Sequence, residues 1–189
     1  MKRQIRVLGI DDSPFTFESK RALLVGVVAR LPMYIEGIMR TNCDVDGTDA
    51  NDAIADMVLR SRYREQLKVI MIDGVAVGGF NVIDIDQLYR DTGIPCATIT
   101  RNIPDHDSME KALRTHFSDW KERMEIIKRR PLYRLGRRPS VFATASGISI
   151  DDLELIVKES RVIGSLPEPL RIAHLISSAM VRGESHGRA

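Results

Sequence analysis

The sequence predicts a mixed α/β fold: a mixed five-stranded sheet flanked by helices, in which an antiparallel meander is continued by two parallel strands. Three β-type runs follow one another near the start of the chain with no helical pattern between them. Two further short apolar runs are each preceded by a segment of helical periodicity. At 189 residues and 21.3 kDa the chain suits one such unit, so we expect a single domain over residues 1–189.

The three meander strands are predicted at 4–10, 21–30 and 34–43. The acidic pair Asp11-Asp12, followed by Pro14, ends the first strand and places Asp11 at its C-terminal end. Gly26 interrupts the second strand, and Pro32 turns the chain into the third. Because no helix separates these runs, they are expected to pair as antiparallel neighbours.

Helices and strands then alternate. Apolar spacing predicts helices near 49–62 and 82–92, which enter strands at 68–72 and 94–100. From Asp107 an apolar stripe repeats at helical spacing through Ile127, which predicts one long helix that Pro131 closes. In the last third we expect a short strand at 141–145, a helix capped by Ser149, and a final helix at 167–182 followed by Gly183.

Composition narrows the class of protein. Charged residues make up 29% and no apolar run approaches the roughly 20 residues of a membrane span, so we expect no membrane partner. The start of the chain shows no secretory cleavage site. Cys43 and Cys96 stand alone, which indicates neither a disulfide framework nor a paired-cysteine zinc site. These features predict a cytoplasmic protein.

Charge is unevenly distributed although the net charge is only +2. Residues 121–138, the basic stretch, hold eight Lys and Arg against two Glu, whereas residues 44–56 hold five Asp and no basic residue. This pattern favours a polyanionic partner together with a metal ion. Taken alone, the charges have an alternative explanation: the two segments are ordinary solvent-exposed surfaces that do not act together.

The element order β-β-β-α-β-α-β-α is that of the ribonuclease H architecture, in which carboxylates gather at the ends of strands 1, 3 and 4. Asp11 ends the first predicted strand and Asp73 the fourth, while Asp44 and Asp46 lie at the end of the third. Mg²⁺ is bound by one or two carboxylates with retained waters, so a shared ion pair needs acids from several strand ends. Each Asp taken singly is also a common turn or N-cap residue.

Four segments resemble an archaeal family long described as uncharacterised and now called endonuclease dU, which is grouped with endonuclease V. They are VLGIDDS at 7–13, YIEGI at 34–38, VIMIDG at 69–74 and EPLRIAHLI with RGES at 168–176 and 182–185. The resemblance implies a ribonuclease H-like fold and Mg²⁺- or Mn²⁺-dependent nicking of nucleic acid near a deaminated base. It spans nearly the whole chain.

By position, the resemblance implies that Asp11 and Asp73 bind metal. The middle acid of endonuclease V is a glutamate at the end of strand 3; here Asp46 is the nearest candidate and Asp44 the second. Arg101 falls where endonuclease V has a lysine near the scissile phosphate, and His174 matches a histidine close to the metals. His174 also suits a core histidine, and Arg101 a strand cap.

The resemblance also bears on nucleic-acid contacts. Tyr34-Ile35 matches the start of the wedge that endonuclease V inserts beside a lesion, but Met33 and Glu36 replace both of its prolines. An ordinary β-sheet aromatic is the alternative for Tyr34. Backbone contacts are assigned to five residues of the basic stretch: Lys128, Arg129, Arg130, Arg137 and Arg138.

Two other functions compete. The run Asp44-Val45-Asp46-Gly47-Thr48 matches the signature of haloacid-dehalogenase-type phosphatases, whose first Asp is the nucleophile. That chemistry needs a buried parallel strand before the motif, and residues 39–43 are too polar for one. A non-catalytic nucleic-acid-binding module, held by phosphate contacts, is the third possibility.

The favoured hypothesis is a metal-dependent endonuclease, acting in nucleic-acid repair, that nicks a phosphodiester near uracil or hypoxanthine in DNA, with RNA left open as a substrate. Its predicted catalytic residues are Asp11, Asp46, Asp73, Arg101 and His174, of which the three Asp bind Mg²⁺ or Mn²⁺. The sequence does not predict the oligomeric state.

Overall fold

The computed structural model describes residues 5–16 and 18–185 and contains a seven-stranded sheet with helices on both faces. Its first three strands are β1 (Arg6–Asp12), β2 (Arg21–Arg30) and β3 (Tyr34–Asp44). They pair as the predicted antiparallel meander. Gln4, where the first strand was predicted to begin, lies outside the described residues.

The centre of the sheet is parallel. Its elements, in chain order, are α1 (Ala50–Leu59), a 3₁₀ turn (Arg64–Gln66), β4 (Leu67–Asp73), α2 (Ile85–Thr92) and β7 (Cys96–Thr100), with a small hairpin of β5 (Ala76–Val77) and β6 (Asn81–Val82) between β4 and α2. Strand β4 pairs in parallel with β1 on one side and β7 on the other. The first and fourth strands of the chain are therefore neighbours in the sheet.

The sheet has two strands more than the predicted five. Strand β9 (Val141–Ser146), expected as a short run, pairs antiparallel with β7, and β8 (Tyr133–Leu135) follows it at the edge. Strand β8 is only three residues long and lies inside the basic stretch, so composition conceals it. The complete order is β3-β2-β1-β4-β7-β9-β8.

The predicted single long helix is wrong, because it is two helices: α3 (His106–His116) and α4 (Trp120–Lys128). Phe117 is extended, with φ −130° and ψ 130°, so the helix stops there and the chain turns. The apolar stripe still packs into one cluster, which explains why its spacing looked continuous: Met109, Leu113, Phe117, Trp120, Met124 and Ile127.

The last two helices are α5 (Ile150–Glu159) and α6 (Glu168–Arg182). The predicted cap is confirmed, since the Ser149 hydroxyl accepts a hydrogen bond from the Asp152 N–H, and Gly183 has the left-handed φ of 85° that ends α6. Gly9 lets α6 lie directly on β1, because a Cβ there would be 2.6 Å from the Pro169 carbonyl carbon. This close packing places His174 and Ser177 of α6 beside the C-terminal end of β1.

No helix within residues 5–16 and 18–185 has the length and apolarity that crossing a membrane requires.

Candidate active site

Asp11 and Asp73 lie side by side at one edge of the sheet. In the parallel pair of β1 and β4, Ile10 is the partner of Ile72, so the two aspartates are the next residues of adjacent strands. Adjacent strands lie about 4.8 Å apart, and residues at equivalent register positions point to the same face. Residues sixty-two positions apart in sequence therefore form one acidic pair, on the face that α6 covers.

Helix α6 supplies a histidine to this pair. The Nδ1 of His174 lies 2.9 Å from Oδ2 of Asp11, and Ser177, one turn later, donates its hydroxyl to the backbone carbonyl of Asp12 over 2.8 Å. Asp11 is 5% exposed, whereas the His174 ring is half-buried. His174 thus holds the Asp11 carboxylate and presents the rest of its ring toward solvent.

The electrostatics of the pair are those of crowded carboxylates. Burial and the negative charge of Asp11 raise the pKa of Asp73 to about 7, against the opposing positive charges of Arg101 and His174. The hydrogen bond that His174 makes to the Asp11 carboxylate raises the pKa of His174 above its ordinary value. A cation at this position would relieve the repulsion between the carboxylates.

Arg101 stands on the other side of the pair. Ile99 of β7 is the register partner of Asp73, and Arg101 follows directly after the last residue of β7. It is exposed, and its charge acts on both Asp73 and His174. Four of the five predicted catalytic residues are thus brought together: Asp11, Asp73, Arg101 and His174.

Asp46 is the exception. It is exposed, with a left-handed φ of 57°, and its carboxylate accepts the N–H of Phe80 over 2.8 Å. Within residues 5–16 and 18–185 no group of three or more His, Cys, Asp or Glu side chains is placed to hold a metal ion. The predicted set of three acids is therefore not assembled, because the loop that follows β3 uses Asp46 to bind the β5–β6 hairpin.

Asp12 is a residue that the sequence interpretation missed. Its Oδ2 accepts the N–H of Gly78 over 2.6 Å, and burial together with the charge of Asp11 raises its pKa to about 6. Its charge also acts on Asp73. The Asp-Asp doublet at the end of β1 was the available signal, but it was interpreted only as the end of a strand.

Comparison with known proteins identifies the family. The family model for endonuclease dU matches residues 3–181. The chain belongs to the endonuclease dU family. A UPF0215 protein of Methanothermobacter thermautotrophicus is 44% identical over 100% of this chain and 94% of its own length, and one of Thermococcus gammatolerans is 43% identical over 98% and 96%.

Solved structures agree with the fold. The crystal structure of a protein of unknown function from Archaeoglobus fulgidus is similar to this chain with a TM-score of 0.85, at 36% identity over 97% of this chain and 100% of that one. Ciona intestinalis endonuclease V, in complex with a DNA that contains an inosine followed by a ribo-adenosine, has a TM-score of 0.62 at 13% identity, covering 97% and 88%. The ribonuclease H-like fold class is thus confirmed.

Several cations of the basic stretch are neutralised by carboxylates. Lys128 pairs with Glu110 at 2.9 Å, Arg129 with Asp84 at 2.6 Å and Arg130 with Asp86. Three of the five residues predicted to contact the nucleic-acid backbone therefore already have carboxylate partners within the protein. Only two of them are exposed without an ion pair in the described part of the chain: Arg137 and Arg138.

Tyr34 lies away from the acidic pair. It is opposite Arg30, which is opposite Arg6, five residues before Asp11, so the separation along the strand is about 17 Å at 3.3 Å per residue. An odd offset along a strand also reverses the face. The structure does not bring Tyr34 to the acidic pair. Its contact with nucleic acid stays a prediction, and it requires a nucleic-acid strand that extends about 17 Å from the acidic pair.

The phosphatase alternative has no support in the fold. Strand β3, which precedes Asp44, is an edge strand with an antiparallel neighbour, and the Asp44 side chain is 62% exposed. A phosphatase nucleophile of that type requires a buried parallel strand. The backbone N–H of Asp44 instead donates to Asp49, which shapes the turn into α1.

The acidic pair suits a hard divalent cation. No described residue donates a hydrogen bond to the Asp73 carboxylate, and burial together with the charge of Asp11 disfavours its ionised form. Mg²⁺ typically takes one or two carboxylates and keeps several waters, which is the donor set that two aspartates at one sheet edge provide. The residues present therefore fit the metal that the fold implies.

Proposed function

We propose that the chain is a metal-dependent endonuclease that hydrolyses a phosphodiester near a deaminated base, uracil or hypoxanthine, in DNA. The observation that carries this proposal is the adjacency of Asp11 and Asp73 on parallel strands, with His174 at 2.9 Å from Asp11. Membership of the endonuclease dU family supports a nuclease hydrolase, and the DNA complex of the similar endonuclease V supports nucleic acid as partner.

Asp11 and Asp73 would hold Mg²⁺ or Mn²⁺, and the ion would supply activation of water and stabilisation of the leaving oxygen. The protein's own contributions follow from the contacts. His174 fixes the Asp11 carboxylate by its Nδ1 contact, so the carboxylate is oriented before an ion arrives. Arg101, exposed and close enough for its charge to act on Asp73, offers a guanidinium to a phosphate at the same edge.

The proposal is tested by nicking of a labelled duplex that contains one deoxyuridine or one deoxyinosine, with Mg²⁺, Mn²⁺ or EDTA, and of matched RNA. We expect nicking with either metal and none in EDTA. Asp11→Asn and Asp73→Asn should each abolish it, whereas Asp46→Asn, which leaves the Asp11–Asp73 pair intact, should retain most activity. Full activity in both Asp11→Asn and Asp73→Asn would overturn the mechanism.

A separate observation addresses the binding-module alternative. Burial and the neighbouring charge of Asp11 raise the pKa of Asp73 to about 7, an arrangement that costs stability and that phosphate binding alone does not need. Binding of the duplex without metal-dependent cleavage would favour the binding module over the nuclease.

A further inference from the structure

The turn between β8 and β9, residues 136–140, emerges at the same edge of the sheet as the acidic pair. Strand β9 runs antiparallel to β7, and Phe142 is the register partner of Thr100. Val141 is therefore level with Arg101, and the turn that precedes Val141 extends beyond the sheet on the side where Asp73 ends β4. We call residues 136–140 the β8–β9 turn.

The β8–β9 turn is fastened at both ends. At its start the backbone N–H of Gly136 donates to Oε1 of Glu154, on α5, over 2.8 Å. Near its end the carbonyl of Pro139 accepts from Nη1 of Arg161 over 3.0 Å. Gly136 has a left-handed φ of 78°, and a Cβ there would lie 3.1 Å from Arg161 Nη1, so the guanidinium fits closely under the turn.

Arg161 is committed to the turn rather than to solvent. Its Nε and Nη2 atoms are shut off from solvent and have no hydrogen-bond partner in the described part of the chain, and burial lowers its pKa. Burying a guanidinium with incomplete hydrogen bonding is unfavourable. The buried guanidinium of Arg161 is held against the carbonyl of Pro139. Arg161 is therefore a positioning residue that fixes the turn and does not itself contact a ligand.

The fastened turn presents two free cations. Arg137 and Arg138 are exposed, and neither side chain makes an ion pair with a described residue. Arg129 and Arg130 are exposed as well, but each forms an ion pair with a carboxylate. Arg130 pairs with Asp86, whose carboxylate also accepts from Ser146, the register partner of Cys96 at the start of β7.

We propose that the β8–β9 turn binds the sugar-phosphate backbone of the nucleic acid through Arg137 and Arg138, and that Arg161 positions the turn for this contact. The inference rests on the proposed function and specifies its binding surface. Strand β8 is three strands from β4, or about 14 Å at 4.8 Å per strand spacing. At roughly 3.4 Å of axial rise per nucleotide, the contacts fall about four nucleotides to one side of the cut.

The test compares two doubly substituted proteins of equal charge, R137Q/R138Q and R129Q/R130Q, with the full-length wild type. Affinity for a labelled deoxyinosine duplex is measured by fluorescence anisotropy in EDTA over a series of NaCl concentrations. Each lost phosphate contact lowers the salt slope of log affinity by about 0.9. We expect R137Q/R138Q to lower the slope by about 1.8 and R129Q/R130Q to leave it unchanged.

Arg161→Gln provides the positioning test. It should reduce the salt slope in the wild-type background and have no further effect in the R137Q/R138Q background, because it acts through those two residues. A merely structural role would lower the melting temperature but leave the effects on binding additive.

Failure of this inference differs from failure of the proposed function. An unchanged slope in R137Q/R138Q, an equal loss in R129Q/R130Q, or no binding in EDTA by a wild type that nicks in Mg²⁺ would overturn the inference alone. A wild type that neither binds nor nicks any duplex or RNA would overturn both.

Discussion

The substitution Asp73→Asn should stabilise the metal-free protein at alkaline pH. The pKa of Asp73 is about 7 in the folded protein, against an ordinary value of 3.8, because burial and the charge of Asp11 disfavour its ionised form. Between these two values the folded state binds a proton that the unfolded state has released, so stability falls as pH rises. Above pH 7 Asp73 is ionised in the folded protein, and the whole unfavourable free energy of ionising it there lowers the stability. Asparagine stays neutral and does not carry this destabilisation.

The magnitude follows from the shift. A rise of about three pKa units corresponds to roughly 4 kcal/mol at 1.36 kcal/mol per unit. The Asp73 side chain is partly exposed, and solvent screening reduces this to about 2 kcal/mol. We therefore expect Asp73→Asn to unfold with a free energy about 2 kcal/mol above that of the wild type near pH 8, and about a third of that near pH 5.

The assay is urea unfolding in EDTA, followed by the fluorescence of Trp120, the single tryptophan of the chain. Asp91→Asn, at an exposed position on α2, is the matched control and should change stability by less than about 0.5 kcal/mol at either pH. Mg²⁺ should reverse the order of wild type and Asp73→Asn, because the ion stabilises only the folded state that binds it. A stability difference independent of pH, or a wild type more stable than Asp73→Asn in EDTA near pH 8, would refute the reasoning.

Two further outcomes follow from the contacts around α6. His174→Ala removes the group that orients Asp11, so the Mn²⁺ concentration needed for half-maximal nicking should rise about 10- to 100-fold, as measured by titration; an unchanged requirement would show that the contact is incidental. Gly9→Ala places a Cβ 2.6 Å from the backbone of Pro169 and should lower the free energy of unfolding by about 1–3 kcal/mol in urea; an unaffected midpoint would contradict the close packing of α6 on β1.

The sequence was informative about the acidic pair because the position of an acid at a strand end is a local property. The element order matched the ribonuclease H architecture, and in that architecture acids at the ends of strands 1 and 4, here Asp11 and Asp73, lie together at one edge of the sheet. His174 was found by resemblance, and its place beside Asp11 depends on Gly9, whose missing side chain lets α6 approach β1.

Other parts of the site depended on contacts that local patterns do not show. The cations of Arg129 and Arg130 are neutralised by acids forty-five and forty-four residues away, so composition overstated the free charge of the basic stretch. A register shift between Val28 and Ala29 inserts an extra residue in β3 and turns Tyr34 away from the face of the acidic pair. The hydrogen bond of Asp46 was unpredictable for a similar reason, because its partner Phe80 lies in a hairpin that is too short to show a periodic pattern.

The shared-ion claim is tested most directly by anomalous diffraction from crystals soaked in Mn²⁺, with no nucleic acid present. The account predicts a peak between the carboxylates of Asp11 and Asp73, and its loss in Asp73→Asn crystals soaked in the same way. No peak at that position, or a peak only beside Asp46, would contradict the assignment of the acidic pair as the metal site.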